Sequence, residues 1–201
     1  MNPLEKEVWY AMYVSYRREM KVKEILDGKG IVNFIPMHYT IKVKHRRKVK
    51  ELTPVIHNLI FICTTATIIR QLKEEIPYLQ YMTNQRLGEK IIVPDEQMRM
   101  FIAVTGTYDE QLIYLKQEDI NLKKGCRVRI KGGDLEGYEG IFMKVKGSRN
   151  RRVVVVVEGV IAVAMATLPM ELIEVLPDKE VPASSYGRDI SDYPPPETII
   201  Q

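Results

Sequence analysis

Several things are scarce in this sequence, and each scarcity excludes something. Cysteine occurs twice in 201 residues, at Cys63 and Cys126, with no companion at the spacing of a metal site or a redox pair. Both are read as packing residues of a reducing compartment, where disulfides are rare. Long apolar runs are also missing: the longest, Val153 to Ala166, is divided by Glu158 and Gly159 into strand-length pieces, well short of the roughly 20 residues that cross a bilayer. Glu5, Lys6 and Glu7 precede Trp9 where a secretory leader would be apolar. A cytoplasmic protein without a membrane span is expected.

Catalytic patterns are lacking as well. His38, His45 and His57 have no Ser, Cys or carboxylate companion at motif spacing, and no Walker loop, dinucleotide fingerprint or His-Glu-x-x-His is found. The adjacent acids Asp95-Glu96 and Asp109-Glu110 suit helix starts better than acid and base catalysis. The expectation is a protein that is not an enzyme and uses neither cofactor nor metal.

What is present is an uneven distribution of charge. The net charge of +4 is mild, but Lys42, Lys44, Arg46, Arg47, Lys48 and Lys50 place six cations in nine residues. Such clustering favours upstream or non-template DNA by releasing phosphate counterions. A solvated hairpin protected from edge pairing explains it equally well. Arg17 and Arg18 are weaker candidates for the same face. A second cluster, Lys144, Lys146, Arg149, Arg151 and Arg152, suits RNA or an acidic partner.

Periodicity gives an α+β chain. A buried strand over Trp9 to Ser15 leads through Ser15 as cap into a helix over Tyr16 to Lys29, with Val22, Ile25, Leu26 and Lys29 on one stripe. Ile31 to Pro36 is extended, Tyr39 to Val43 runs into the charged hairpin, and Val55 to Thr64 is read as the return strand. A helix over Thr67 to Glu75 stops at Pro77, and Tyr78 to Thr83 is extended. Pro94, Asp95 and Glu96 open a further helix with Met98, Phe101 and Ile102 inward. The result is an antiparallel sheet with packed helices over residues 8–105.

Residues 106–122 are read as a linker. Short strands at Arg127 to Lys131, Gly140 to Lys146, Val153 to Val157, Val160 to Ala166 and Leu172 to Val175 predict a five-stranded barrel over 123–176. Five prolines and five acids against two Lys/Arg from Pro177 onward predict a disordered acidic tail over 177–201.

The stretch Gly125-Cys126-Arg127-Val128-Arg129-Ile130, then Gly132-Gly133-Asp134-Leu135-Glu136-Gly137-Tyr138-Glu139-Gly140, makes two corners in which Gly133, Gly137 and Gly140 are expected at positive φ. It resembles a KOW motif, an SH3-like β-barrel. Trp9-Tyr10-Ala11-Met12-Tyr13, Phe34-Ile35-Pro36-Met37, the basic hairpin, Pro54 to Ile62 and Ile92-Val93-Pro94-Asp95 together resemble a NusG N-terminal (NGN) domain, an α/β sandwich. The resemblance spans about residues 8 to 176. Val153 to Val175, with Gly159, Ala162, Thr167 and Pro169, is similar to the specialised RfaH-like and UpxY-type antiterminators of long operons such as capsular polysaccharide loci.

The resemblance implies a monomeric transcription elongation or antitermination factor whose first module docks on the clamp helices of the RNA polymerase β′ subunit. Its matching positions are Tyr13, Ile56, Leu59, Phe61, Tyr81, Met98 and Phe101. Ile56-His57-Asn58-Leu59 stands where the family commonly has Phe-Pro-Gly-Tyr or Phe-Pro-Asn-Tyr, which weakens aromatic anchoring. Phe61 and Ile102 read equally well as core. The barrel implies recruitment of a termination factor or a ribosomal protein; a ribosome- or RNA-binding KOW protein is the alternative. Five consecutive β-branched residues, Val153 to Val157, predict a barrel that does not switch to helix.

Overall fold

A computed structural model describes residues 5–44, 46–84, 87–115, 125–146, 148–165 and 168–177. Apart from Pro177, the expected tail lies outside the described residues, as does most of the second half of the expected linker.

The first strand, β1 (Val8–Val14), is apolar on both faces, and both faces are covered. Tyr10, Met12 and Val14 point into a core shared with helices α1 (Glu19–Gly28) and α2 (Ala66–Glu75). Trp9 and Ala11 point into a second core beneath α3 (Asp95–Thr105). Thr65 caps α2 by accepting from the Ile68 amide at 3.3 Å. Asp95 and Glu96 occupy the first turn of α3, where acids favour the positive helix end.

Ser15 does not cap α1. Its amide donates to the Tyr78 carbonyl and that of Val14 to the Asn58 carbonyl, so the sheet holds this corner. A short 3-10 turn over Ser15–Arg17 follows, with Tyr16 at φ 63° and Arg17 at φ 54°, and α1 begins only at Glu19.

Strands β2 (Asn33–Phe34), β5 (Leu59–Thr64), β1 and β6 (Leu79–Tyr81) lie in that order, and β7 (Ile92–Val93) also pairs with β1. The return strand of the basic hairpin differs from expectation. β3 (Met37–Lys44) pairs with β4 (Arg47–Pro54) along its whole length, forming a separate two-stranded ribbon. Asn58 at φ 67° then breaks the chain before β5. The like-charged pair Lys44↔Arg47 concealed this arm, since like charges opposite one another disfavour pairing.

The second sheet has six antiparallel strands in the order β13 (Ile173–Val175), β9 (Cys126–Ile130), β10 (Glu139–Lys144), β11 (Arg151–Val157), β12 (Ile161–Ala164) and β8 (Ile113–Leu115). Strand β8 comes from the expected linker, and its Leu115 packs with Val154, Ala162 and Ala164. Among the described residues β13 and β8 do not pair with each other, so this is an open sheet rather than the closed five-stranded barrel expected. Helix α3 lies against β11 and β12, and Met98, Phe101 and Val104 share one buried cluster with Val153, Val155, Val157 and Ile161. No helix among the described residues is long and apolar enough to cross a membrane.

Candidate functional site

The seven residues expected on one apolar docking patch are separated by the fold. Leu59, Phe61, Met98 and Phe101 are buried, and the Phe61 and Phe101 rings meet edge-on at 5.9 Å. They hold α3 on the sheet and cannot form an exposed patch. Tyr81 packs against the opposite core, with α1 and α2. Only Tyr13, 41% exposed, and the half-buried Ile56 remain near the surface on the α3 side. Tyr13 continues the Trp9, Ala11 alternation of β1 and pairs with Leu59, just past the Ile56 turn. These two residues therefore sit at the same end of the sheet.

The hairpin cations divide in two. Lys42 and Lys44 converge on Glu51 at 2.7 and 3.0 Å, and these bonds hold its carboxyl below the usual range, Lys42 contributing most. Lys50 bonds Glu110 at 2.7 Å and lies over the Tyr39 ring at 4.4 Å, while Tyr39 meets Tyr108 edge-on at 6.0 Å. The hairpin is thus tied to the segment after α3. Arg46, Arg47 and Lys48 at the tip have no carboxylate within ion-pair distance among the described residues. The apolar side chains near them, Ile41 and Val43, are 70% and 71% exposed.

Arg17 contributes its backbone, whose amide donates to Asn58 Oδ1 at 2.9 Å. Arg18 lies over the Tyr78 ring at 4.9 Å and the Tyr16 ring at 5.5 Å. The next residue in the chain, Glu19, is buried, with one carboxylate oxygen 3.0 Å from His57 Nδ1. Sequence reasoning passed over Tyr16, Lys73, Tyr78 and Lys90. Lys73 lies on α2, whereas Tyr16 and Arg18 lie ahead of α1, Tyr78 just before β6 and Lys90 just before β7, so no local spacing could have joined them.

The turn glycines of the second sheet also divide. Gly133 and Gly137 adopt φ 80° and 83°, as expected, but Gly140 does not have positive φ. It lies within β10, where a Cβ would meet Val153 Cγ1 at 2.6 Å and the Val154 carbonyl oxygen at 2.9 Å. Gly140 is required by close strand approach rather than by a turn. Nearby, Glu139 bridges Arg127 and Arg129, both at 2.7 Å, and the Arg129 bond does most to hold its carboxyl below the usual range. In the second basic cluster Arg152 is structural, donating to the Gln111 and Met165 carbonyls at 2.7 and 2.9 Å. Lys144 and Arg151 are an exposed cross-strand pair.

Between α3 and the second sheet lie two neighbouring crevices of about 420 and 310 Å³, sharing Glu96, Met100 and Glu139. Among the described residues no group of three His, Cys, Asp or Glu side chains is placed to hold a metal.

The region from β1 through most of α3, with its sheet covered on both faces, is also where a family model matches. Residues 7–102 match the family model "NusG: Transcription termination factor nusG". No curated protein matches the chain. Among solved structures the chain is similar to one described as "Domain interaction in Thermotoga maritima NusG", at 19% identity over 84% of this chain and 97% of that one, with a TM-score of 0.40. It is also similar to one described as "Crystal Structure of MjSpt4:Spt5 complex conformation B", at 15% identity over 86% and 99% of the two chains, with a TM-score of 0.23. The NusG-matching region thus ends within α3, and the second sheet lies beyond it.

Proposed function

We propose that this chain is a transcription elongation factor that binds RNA polymerase through its NusG-matching N-terminal region. The match over residues 7–102 carries this reading. The docking surface is the apolar end of the α3-bearing face, presented by Tyr13 and Ile56, because the outer side of α3 is occupied by β11 and β12. Its target is the clamp helices of the β′ subunit. The second sheet takes a separate partner, a ribosomal protein or a termination factor. A finer reading, antitermination on long operons such as capsular polysaccharide loci, rests on the resemblance of Val153 to Val175 to specialised members of the family.

Capture of purified core RNA polymerase by the full chain, at low and moderate salt, tests this. An aromatic or aliphatic anchor at an interface centre contributes about 2 kcal/mol or more, so Tyr13→Glu and Ile56→Glu are expected to weaken capture roughly thirty-fold. Leu59→Glu is not informative, since Leu59 is only 2% exposed and a buried charge there would unfold the sheet. No capture by the wild type at either salt removes the proposal. The alternative, a ribosome- or RNA-binding protein, is supported by the exposed Lys144↔Arg151 pair, because opposed like charges are relieved by a polyanion.

A further inference from the structure

Helix α1 buries a carboxyl where its spacing calls for an apolar side chain. Glu19, Val22 and Leu26 share the inward stripe of the helix, and all three are buried, Glu19 at 2% exposure. Val22 and Leu26 pack with Ile60 and Ile62 of β5. Glu19 instead meets the segment just before β5: its Oε1 lies 3.0 Å from Nδ1 of His57, whose side chain is 45% exposed. A polar group buried in this way adds little to stability, and an apolar residue of similar length serves a core as well or better. A hydrogen bond is directional, however, and fixes where His57 stands.

That position is held against backbone strain. Tyr16, Arg17 and Asn58, at φ 63°, 54° and 67°, are three of the five described non-glycine residues with positive φ. Asparagine tolerates the left-handed region, whereas tyrosine and arginine stay there only where the surroundings impose it. Here two chain segments impose it on each other. Asn58 accepts from the Arg17 amide through its side chain at 2.9 Å and from the Val14 amide through its carbonyl at 2.8 Å. The Glu19–His57 contact continues the series by one residue on each segment. On the other side of Ile56, the Val55 amide donates to the Pro36 carbonyl at 2.9 Å. Ile56, half-buried against the α3-side core, is therefore held from both directions along the chain.

We infer that Glu19 and His57 are positioning residues: with Asn58 they clasp the segment that carries Ile56 and present it, beside Tyr13, in the conformation that docks on RNA polymerase. The inference rests on the reading of Tyr13 and Ile56 as the docking surface. The clasp acts through Ile56, since an interface side chain ordered beforehand does not have to be ordered on binding. A turn that served the fold alone is told apart by its response to an apolar residue at position 19. Stability and docking then move together, whereas in a clasp they separate.

The test compares Glu19→Met and Glu19→Gln with wild type in the full chain at one pH, by capture of core RNA polymerase, thermal midpoint and amide exchange of Arg17. Glu19→Met keeps the length and burial of the side chain but removes the hydrogen bond, and the half-exposed His57 turns to water. Glu19→Gln keeps a hydrogen-bonding group whichever ring nitrogen of His57 carries the proton. Glu19→Met is expected to leave the midpoint unchanged or raised, to weaken capture about ten-fold and to speed Arg17 exchange about ten-fold. Glu19→Gln is expected to restore capture and exchange. Adding His57→Ala to Glu19→Met is expected to cause no further loss of capture, because the two side chains act as a unit. The clasp is overturned if Glu19→Met captures polymerase like wild type, or if its capture falls only together with its midpoint. Wild-type chain that captures no polymerase removes the docking role along with the proposed function. Arg17 exchange needs no polymerase and separates the two failures: exchange unchanged by Glu19→Met, beside intact wild-type capture, overturns the clasp alone.

Discussion

The two sheets solve the same burial problem differently. The first is roofed on both faces, by α1 and α2 on one side and α3 on the other. The second has no α-helix of its own among the described residues and borrows α3, pressing β11 and β12 against it. Its small remaining core, around Leu115, Met143, Val145 and Val154, is closed by its own strands. One helix therefore serves two sheets. A linker between modules need not mean independent cores.

The sharpest way to break that comparison is to hollow the shared helix. Phe101 is fully buried between Phe34, Phe61 and the second sheet's valines, so Phe101→Ala should cost about 3–5 kcal/mol. Hydrogen exchange should show lost protection in β1 and β5 and also in β11; protection lost in the first sheet alone would mean that the cores are separate.

A smaller effect, confined to one sheet, should come from Gly140→Ala. The added methyl meets backbone that cannot swing aside, and overpacking of this kind costs about 1–3 kcal/mol. Exchange in β9 to β11 should rise while β1 is unaffected; equal loosening of both sheets would show that the second cannot relax alone.

The smallest effect concerns pH. The folded-state pKa of Glu139 lies below its ordinary value through Arg129 and Arg127. Its stabilisation is therefore fully present above the unfolded carboxylate value of about 4.3 and is lost as pH falls through the folded value. Glu139→Gln should lower the thermal midpoint at neutral pH and flatten its acid dependence. An unchanged acid slope would place the sheet's pH response elsewhere.

Legibility in the sequence followed local grammar. Helix α2 was readable as far as its stop at Pro77, α3 from Pro94 and its acids, β9 and β10 from the glycine turns beside them, and β11 from its run of five valines. Strand β8, three residues long, has too little pattern to detect. The candidate surface was harder still. In β5, Leu59 and Phe61 alternate with Ile60 and Ile62 with no polar residue between them, so the strand does not reveal which side another element covers, and both turned out to be covered. Charge was misjudged for a related reason. Six cations within nine residues are visible, but Glu110, which answers Lys50, is distant in sequence.

That contact also sets how the hairpin behaves as an appendage. Two ties hold it to the segment after α3, the exposed Lys50–Glu110 pair and the Tyr39–Tyr108 ring contact. Dissolved ions weaken exposed pairs, whereas an apolar ring contact is insensitive to them. In dilute buffer the ribbon is clamped at two points and its tip is aimed. In strong electrolyte it swings from one, and the same arm becomes a tether.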